Sequence, residues 1–99
     1  MVEKKLKSGR KVLIKEMSVD QIDECTDIPE VIFAEGSVKT IRNSSKARSQ
    51  WIRYGLGGGA FKHFKEENGI VVDQCIKEMT LEEKDELMLF IQDAQVLKN

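Results

Sequence analysis

Apolar and polar residues alternate along positions 1–16. Val2, Lys4 and Leu6 share one face of a strand, and Val12 and Ile14 share one face of a second. Ser8-Gly9 between them supplies a tight turn. The outward positions are mostly Lys and Arg, which discourages pairing of an open edge with other chains. From Ser18 the period lengthens to that of a helix. Val19, Ile22 and Cys25-Thr26 form a stripe, with Asp20, Asp23 and Glu24 opposite it. Ser18 and Gln21 have the spacing of a capping box, and Pro29 cannot extend the helix. Beyond Pro29 the pattern fits either a new helical turn capped by Asp27 and running through Phe33, or a short strand over 31–34. Gly36-Ser37 then breaks the chain, and 38–42 reads as a weak strand or an extended linker.

Asn43-Ser44-Ser45 signals a helix start. Residues 45–56 predict a helix with Ala47, Trp51, Ile52 and Leu56 inward and Lys46, Arg48 and Arg53 outward. Gly55 to Gly59 end it and read as a hinge. A short helix over 60–67 carries Phe61 and Phe64, and Asn68-Gly69 is a turn. Val72, Cys75, Ile76 and Met79 recur at i, i+3, i+4 and i+7, again helical. In the last segment Thr80 and Glu83 form a second capping box. Leu81, Leu87, Phe90, Ile91, Ala94 and Val96/Leu97 supply its apolar face. The expectation is one α+β domain over residues 1–99, mainly helical, with a β-hairpin at 1–16 and a helical body from 18 onward.

Composition narrows the class. Ninety-nine residues make one domain at most. Six per cent aromatic residues leave the core to Val, Ile, Leu and Met. No run of about 18 or more apolar residues is present, so no transmembrane helix and no membrane partner is expected. The opening MVEKKLKSGRK lacks the apolar stretch of a signal peptide, which points to the cytoplasm. Cys25 and Cys75 are expected to be small buried hydrophobes rather than a disulfide.

Charge changes the picture more. Residues 1–16 carry net +4, residues 17–38 hold six acids and no base, residues 39–65 hold seven bases and no acid, and residues 66–99 carry net −6. The whole-chain value of −1 conceals this. Lys39, Arg42, Lys46, Lys62 and Lys65, with Trp51 and Tyr54 among them, are candidates for holding nucleic acid. The same block equally suits an acidic protein partner or an acidic segment of the chain itself.

Sites for chemistry are weaker. The GLGGG run follows a predicted helix and lacks phosphate-loop spacing, so it reads as a helix end. His63 lies between Lys62 and Phe64, with no cysteine or orienting group near it in sequence. Asp20, Asp23, Glu24 and Asp27 lack the spacing of a calcium loop. One histidine and two distant cysteines do not make a zinc site. No catalytic residue, metal or cofactor is assigned, and the chain is read as a non-enzyme.

The segment Ser8-Gly9-Arg10-Lys11-Val12-Leu13-Ile14-Lys15-Glu16, followed by Ser18, resembles the opening of small tail assembly chaperones of tailed bacteriophages. In that family a strand, a glycine turn and a second strand lead into a capped helix. The resemblance covers about a quarter of the chain. It implies binding to tape-measure and tail-tube proteins in the host cytoplasm before they polymerise. On that reading the partner contacts are Leu87, Met88, Phe90 and Ile91, with Arg48, Trp51 and Arg53 on a second, basic surface. Two alternatives remain: a small nucleic-acid-binding or regulatory protein using 39–65, and a structural virion component whose copies assemble in a ring as a homo-oligomer.

Overall fold

The N-terminal residues form an antiparallel hairpin of β1 (Val2–Lys5) and β2 (Lys11–Ile14), with Val2 opposite Ile14 and Lys5 opposite Lys11. These coordinates are a computed structural model. It describes the backbone of residues 1–28, 30–34, 37–42 and 44–96; side chains are described outside 29–43 and 96–99. Leu6 and Arg10 close the turn through a 2.8 Å bond from the Leu6 N–H to the Arg10 carbonyl. All of β1 is exposed, so Leu6, not Val2 or Lys4, is the inward residue of this arm. Val12 and Ile14 of β2 are fully buried.

Helix α1 (Val19–Asp27) starts with the expected capping box. The Ser18 hydroxyl accepts the Gln21 N–H at 3.2 Å and the Gln21 side chain accepts the Ser18 N–H at 3.0 Å. The next segment is strand, not helix. β3 (Glu30–Ala34) pairs antiparallel with β4 (Ser37–Arg42), with a bulge between Ile32 and Phe33. Val-Ile-Phe favours a pleated surface, and a complementary strand begins three positions after Ala34. Pro29, Gly36, Asn43 and Leu97 lie outside the described residues.

Helix α2 (Ser44–Gly55) buries Ala47, Trp51 and Ile52, as its pattern predicts. The glycine run is not a hinge. β5 (Leu56–Gly59) pairs antiparallel with β2 and completes a three-stranded sheet of order β1-β2-β5. Its conformation needs glycine. Gly59 sits at φ +138°, and a Cβ there would collide with the Lys11 carbonyl. The expected helix over 60–67 is absent because its donors are already engaged. Ala60 N–H donates to the Lys11 carbonyl and Phe61 N–H to that of Gly59, extending the sheet edge. β6 (Glu66–Glu67) and β7 (Ile70–Val71) form a small hairpin across Asn68-Gly69. Helix α3 (Asp73–Lys77) and helix α4 (Leu81–Val96) complete the chain. Thr80 and Glu83 form the second capping box. Leu81, expected on the apolar face, is instead 59% exposed.

The fold is therefore α+β with an N-terminal hairpin. Its core gathers Val12, Ile14, Cys25, Ile52, Leu56, Val71, Cys75, Leu87 and Ile91. α2 is the central element, packed against α1, α3, α4, β5 and β7. Among the described residues β3 and β4 run mainly against each other, and no other element approaches either to a similar extent. The molecule is elongated, 46 × 29 × 24 Å, with a radius of gyration of 14.2 Å. Among the described residues no helix is long and apolar enough to cross a membrane.

The tightest approach is that of α2 to α4. A Cβ on Gly55 would meet the side chain of Ile91, which is fully buried. Gly55→Ala is expected to lose about 1–3 kcal/mol of stability through overpacking. Urea denaturation measures the loss, and combined with Ile91→Ala, which removes the atoms that the new Cβ would meet, the two losses should total less than their sum.

Candidate interaction surface

The turn between β1 and β2 is tied to the start of α4 by Arg10, Ser8 and Glu83. Arg10 Nε lies 3.0 Å from Glu83 Oε2, its Nη1 donates to the Ala60 carbonyl at 3.0 Å, and the guanidinium sits 4.8 Å over the Phe61 ring. Ser8 Oγ donates to Glu83 Oε2 at 2.8 Å, and the Thr80 N–H donates to Oε1 at 3.0 Å. Glu83 is only 6% exposed, yet its carboxylate has three donors. Burial alone would raise its pKa. The Thr80 amide, the Ser8 hydroxyl and the Arg10 charge outweigh that and hold it below the ordinary value of 4.5.

Two neighbouring carboxylates cap the same region. Glu78 accepts the backbone N–H groups of Lys62 at 2.9 Å and His63 at 2.6 Å. Desolvation opposes its charge, but these bonds and the positive charges of His63 and Arg10 keep its pKa lowered. Glu86 accepts the Lys7 N–H at 3.0 Å. Between the turn and α4 lies an open groove of about 570 Å³, with Lys7 and Ser8 on one side and Thr80, Glu82, Glu86 and Leu89 on the other. Glu82 and Leu89 are exposed there. Glu82, Glu83 and Glu86 are the acids that line it, Lys7 faces them, and most of its surface is apolar.

Two arginines of the basic block are engaged inside the fold. Arg48 Nη1 pairs with Asp85 at 3.0 Å, and Arg53 holds Asp73 through Nε at 3.1 Å and Nη2 at 2.9 Å while its Nη1 donates to Gln50. Gln50 in turn donates to Glu24. Hydrogen bonds from the Tyr54 hydroxyl and from Gln50 lower the Glu24 pKa. The Arg48 and Arg53 side chains are only 18% and 31% exposed, so neither is the free cation expected of a binding surface. Among the described residues Arg48 Nε is a buried donor without a hydrogen-bond partner.

Trp51 is 6% exposed, and Leu87 and Ile91 are fully buried, so these three expected partner contacts belong to the core. Met88 and Phe90 are half-buried and pack against it, and Lys4 Nζ lies 5.8 Å from the Phe90 ring centroid. Of the possible phosphate contacts, Lys46, Lys62 and Lys65 are exposed, and Lys65 pairs with Glu67. Lys39 and Arg42 lie on β4, with side chains outside the described residues. His63 is exposed. Cys25 and Cys75 are buried and unpaired, and burial pushes both thiols up to about 11. They are poor nucleophiles at neutral pH.

Sequence reasoning recognised Glu83 as a cap but missed its link to Ser8 and Arg10, some seventy residues away. Opposite charge in the first and last blocks was the available signal. Comparison with known protein families, curated proteins and solved structures finds no match to this chain.

Two outcomes follow from these contacts. Glu83 contributes stability above its unfolded pKa, and that contribution is lost as pH falls through the lowered folded value. Glu83→Gln should cost about 1–3 kcal/mol at neutral pH. It should also flatten the fall in melting temperature below about pH 4.5, followed by circular dichroism across an acid series. Arg48→Glu should cost about 1–2 kcal/mol by setting two carboxylates together, and Asp85→Arg in the same chain should restore part of it in urea melts.

Proposed function

We propose that this chain is a non-enzymatic protein that acts by protein–protein contact, in the manner of a phage tail assembly chaperone. The observation that carries the reading is the groove between the β1–β2 turn and α4. Its carboxylates repel phosphate and attract a basic segment. Leu81 and Leu89 lie two turns apart on one stripe of α4, 59% and 55% exposed, and offer apolar contact beside the charge. The internal use of Arg48 and Arg53 argues in the same direction, because it removes two cations from any phosphate track. A tape-measure chain with amphipathic helices is the kind of partner such a groove accommodates. The resemblance of residues 8–18 to tail assembly chaperones supplies the biological setting, the cytoplasm of the host cell.

Purified protein should retain tape-measure or tail-tube protein in a pull-down. Glu82→Lys combined with Leu89→Ser should reduce retention about tenfold, on the order of 1.4 kcal/mol. Recovery of neither tail protein by the unaltered chain would overturn the reading.

The exposed Lys46, Lys62 and Lys65 support a second reading, a nucleic-acid-binding or regulatory protein. It requires affinity for DNA or RNA that drops about tenfold or more between low and physiological salt. A labelled oligonucleotide that shows no shift at low salt removes it.

A further inference from the structure

We propose that the β3–β4 hairpin joins copies of this chain edge to edge, β3 of one copy pairing antiparallel with β4 of the next. The inference goes beyond the groove and requires no tail protein. Among the described residues β3 and β4 form a two-stranded sheet, so each has one hydrogen-bonding edge with no described strand beside it. A two-stranded hairpin is marginal alone in water, and an open edge is a template for another strand.

The register adds apolar weight. Val31 stands opposite Ile41, and Phe33 opposite Val38, so two apolar cross-strand pairs fall within five residues of β3. The N-terminal sheet has an open edge as well, but β1 has Val2 as its one apolar residue and so offers little apolar contact to another strand. β3, Glu-Val-Ile-Phe-Ala, has no lysine, arginine or proline.

Charge selects the occupant and its orientation. The sign of the chain reverses inside this hairpin, since residues 17–38 contain no base and residues 39–65 no acid. β3 therefore carries Glu30 and no base, whereas β4 carries Lys39 and Arg42 and no acid. A symmetric antiparallel contact between two β3 edges sets Glu30 against Ala34, and one between two β4 edges sets Arg42 against Ser37, so neither brings opposite charges together. Joining β3 to a neighbour's β4 sets Glu30 against Arg42, repeating between copies the register that already exists within the hairpin. The two edges differ, so the contact is head-to-tail and generates a ring if the rotation closes or a filament if it does not. A second copy of this chain is the strand that matches both edges at once.

Charge exchange between copies tests this on the full-length protein by native mass spectrometry and sedimentation velocity. The unaltered chain should form multi-copy species at high micromolar concentration. Arg42→Glu leaves acid on both edges, and Glu30→Arg leaves base on both. Each variant alone should associate at least about tenfold more weakly. An equimolar mixture should restore assembly, with the two variants in equal number. The described core residues lie outside the hairpin, so both variants should keep the melting transition of the unaltered chain. A strict monomer, an oligomer indifferent to both variants, or a mixture that fails to recover would each overturn the proposal. None of these results depends on whether tail proteins are retained in a pull-down.

Discussion

Gly55 holds the two halves of the architecture together. Its missing side chain lets α2 rest on Ile91 of α4, and its carbonyl accepts the Lys15 N–H at 2.9 Å. The next residue, Leu56, begins β5 and stands opposite Ile14. Within two residues the chain fixes the helix pair, the end of β2 and the third strand. Ile52, Leu56 and Ile91 are fully buried around this point. Each represents about 1.5–3 kcal/mol of burial that depends on the close approach. A bulkier residue at the junction would displace α4 and the sheet together, so the constraint is steric before it is hydrophobic.

Local features were legible in the sequence, whereas those set by distant partners were not. The first hairpin and both capping boxes depend on residues within three or four positions of each other, and they form as the pattern indicates. The glycine run illustrates the opposite case. Leu-Gly-Gly-Gly has poor strand propensity, and only β2, more than forty residues earlier, makes it a strand. Residues 60–65 fail to form a helix for a related reason: Lys11 and Glu78 take their amide protons. At the candidate surface, an apolar stripe on α4 signalled burial but not its cause. Leu87 and Ile91 face α2 and the core rather than a partner, while Leu89 on another face is the exposed residue.

The alternating charge blocks acquire a physical sense in the folded chain. Arg10 of the first block meets Glu83 of the last, and Arg48 and Arg53 of the third meet Asp85 and Asp73 of the last. These contacts are distant in sequence and partly shielded from water. They specify which helix lies beside which more than they add to total stability. The second block behaves differently. Asp20, Asp23 and Asp27 lie on exposed positions of α1, and Glu30 belongs to a hairpin with little packing against the body. Charge is thus neutralised at these pairs within the body, while the acids of α1 stay exposed.

Gln95 gives the order of events in synthesis a structural basis. Its side chain is buried near the end of α4, where it accepts the Met17 N–H at 2.9 Å and donates to the Lys15 carbonyl at 3.1 Å. These bonds span 78 and 80 residues. A nascent chain must therefore leave the Met17 N–H and the Lys15 carbonyl without these partners until α4 has left the ribosome. Helices α1 and α2 can form as they emerge, but the domain closes only when its last turn arrives. Closure of the domain thus waits on a contact between elements that are made nearly eighty residues apart.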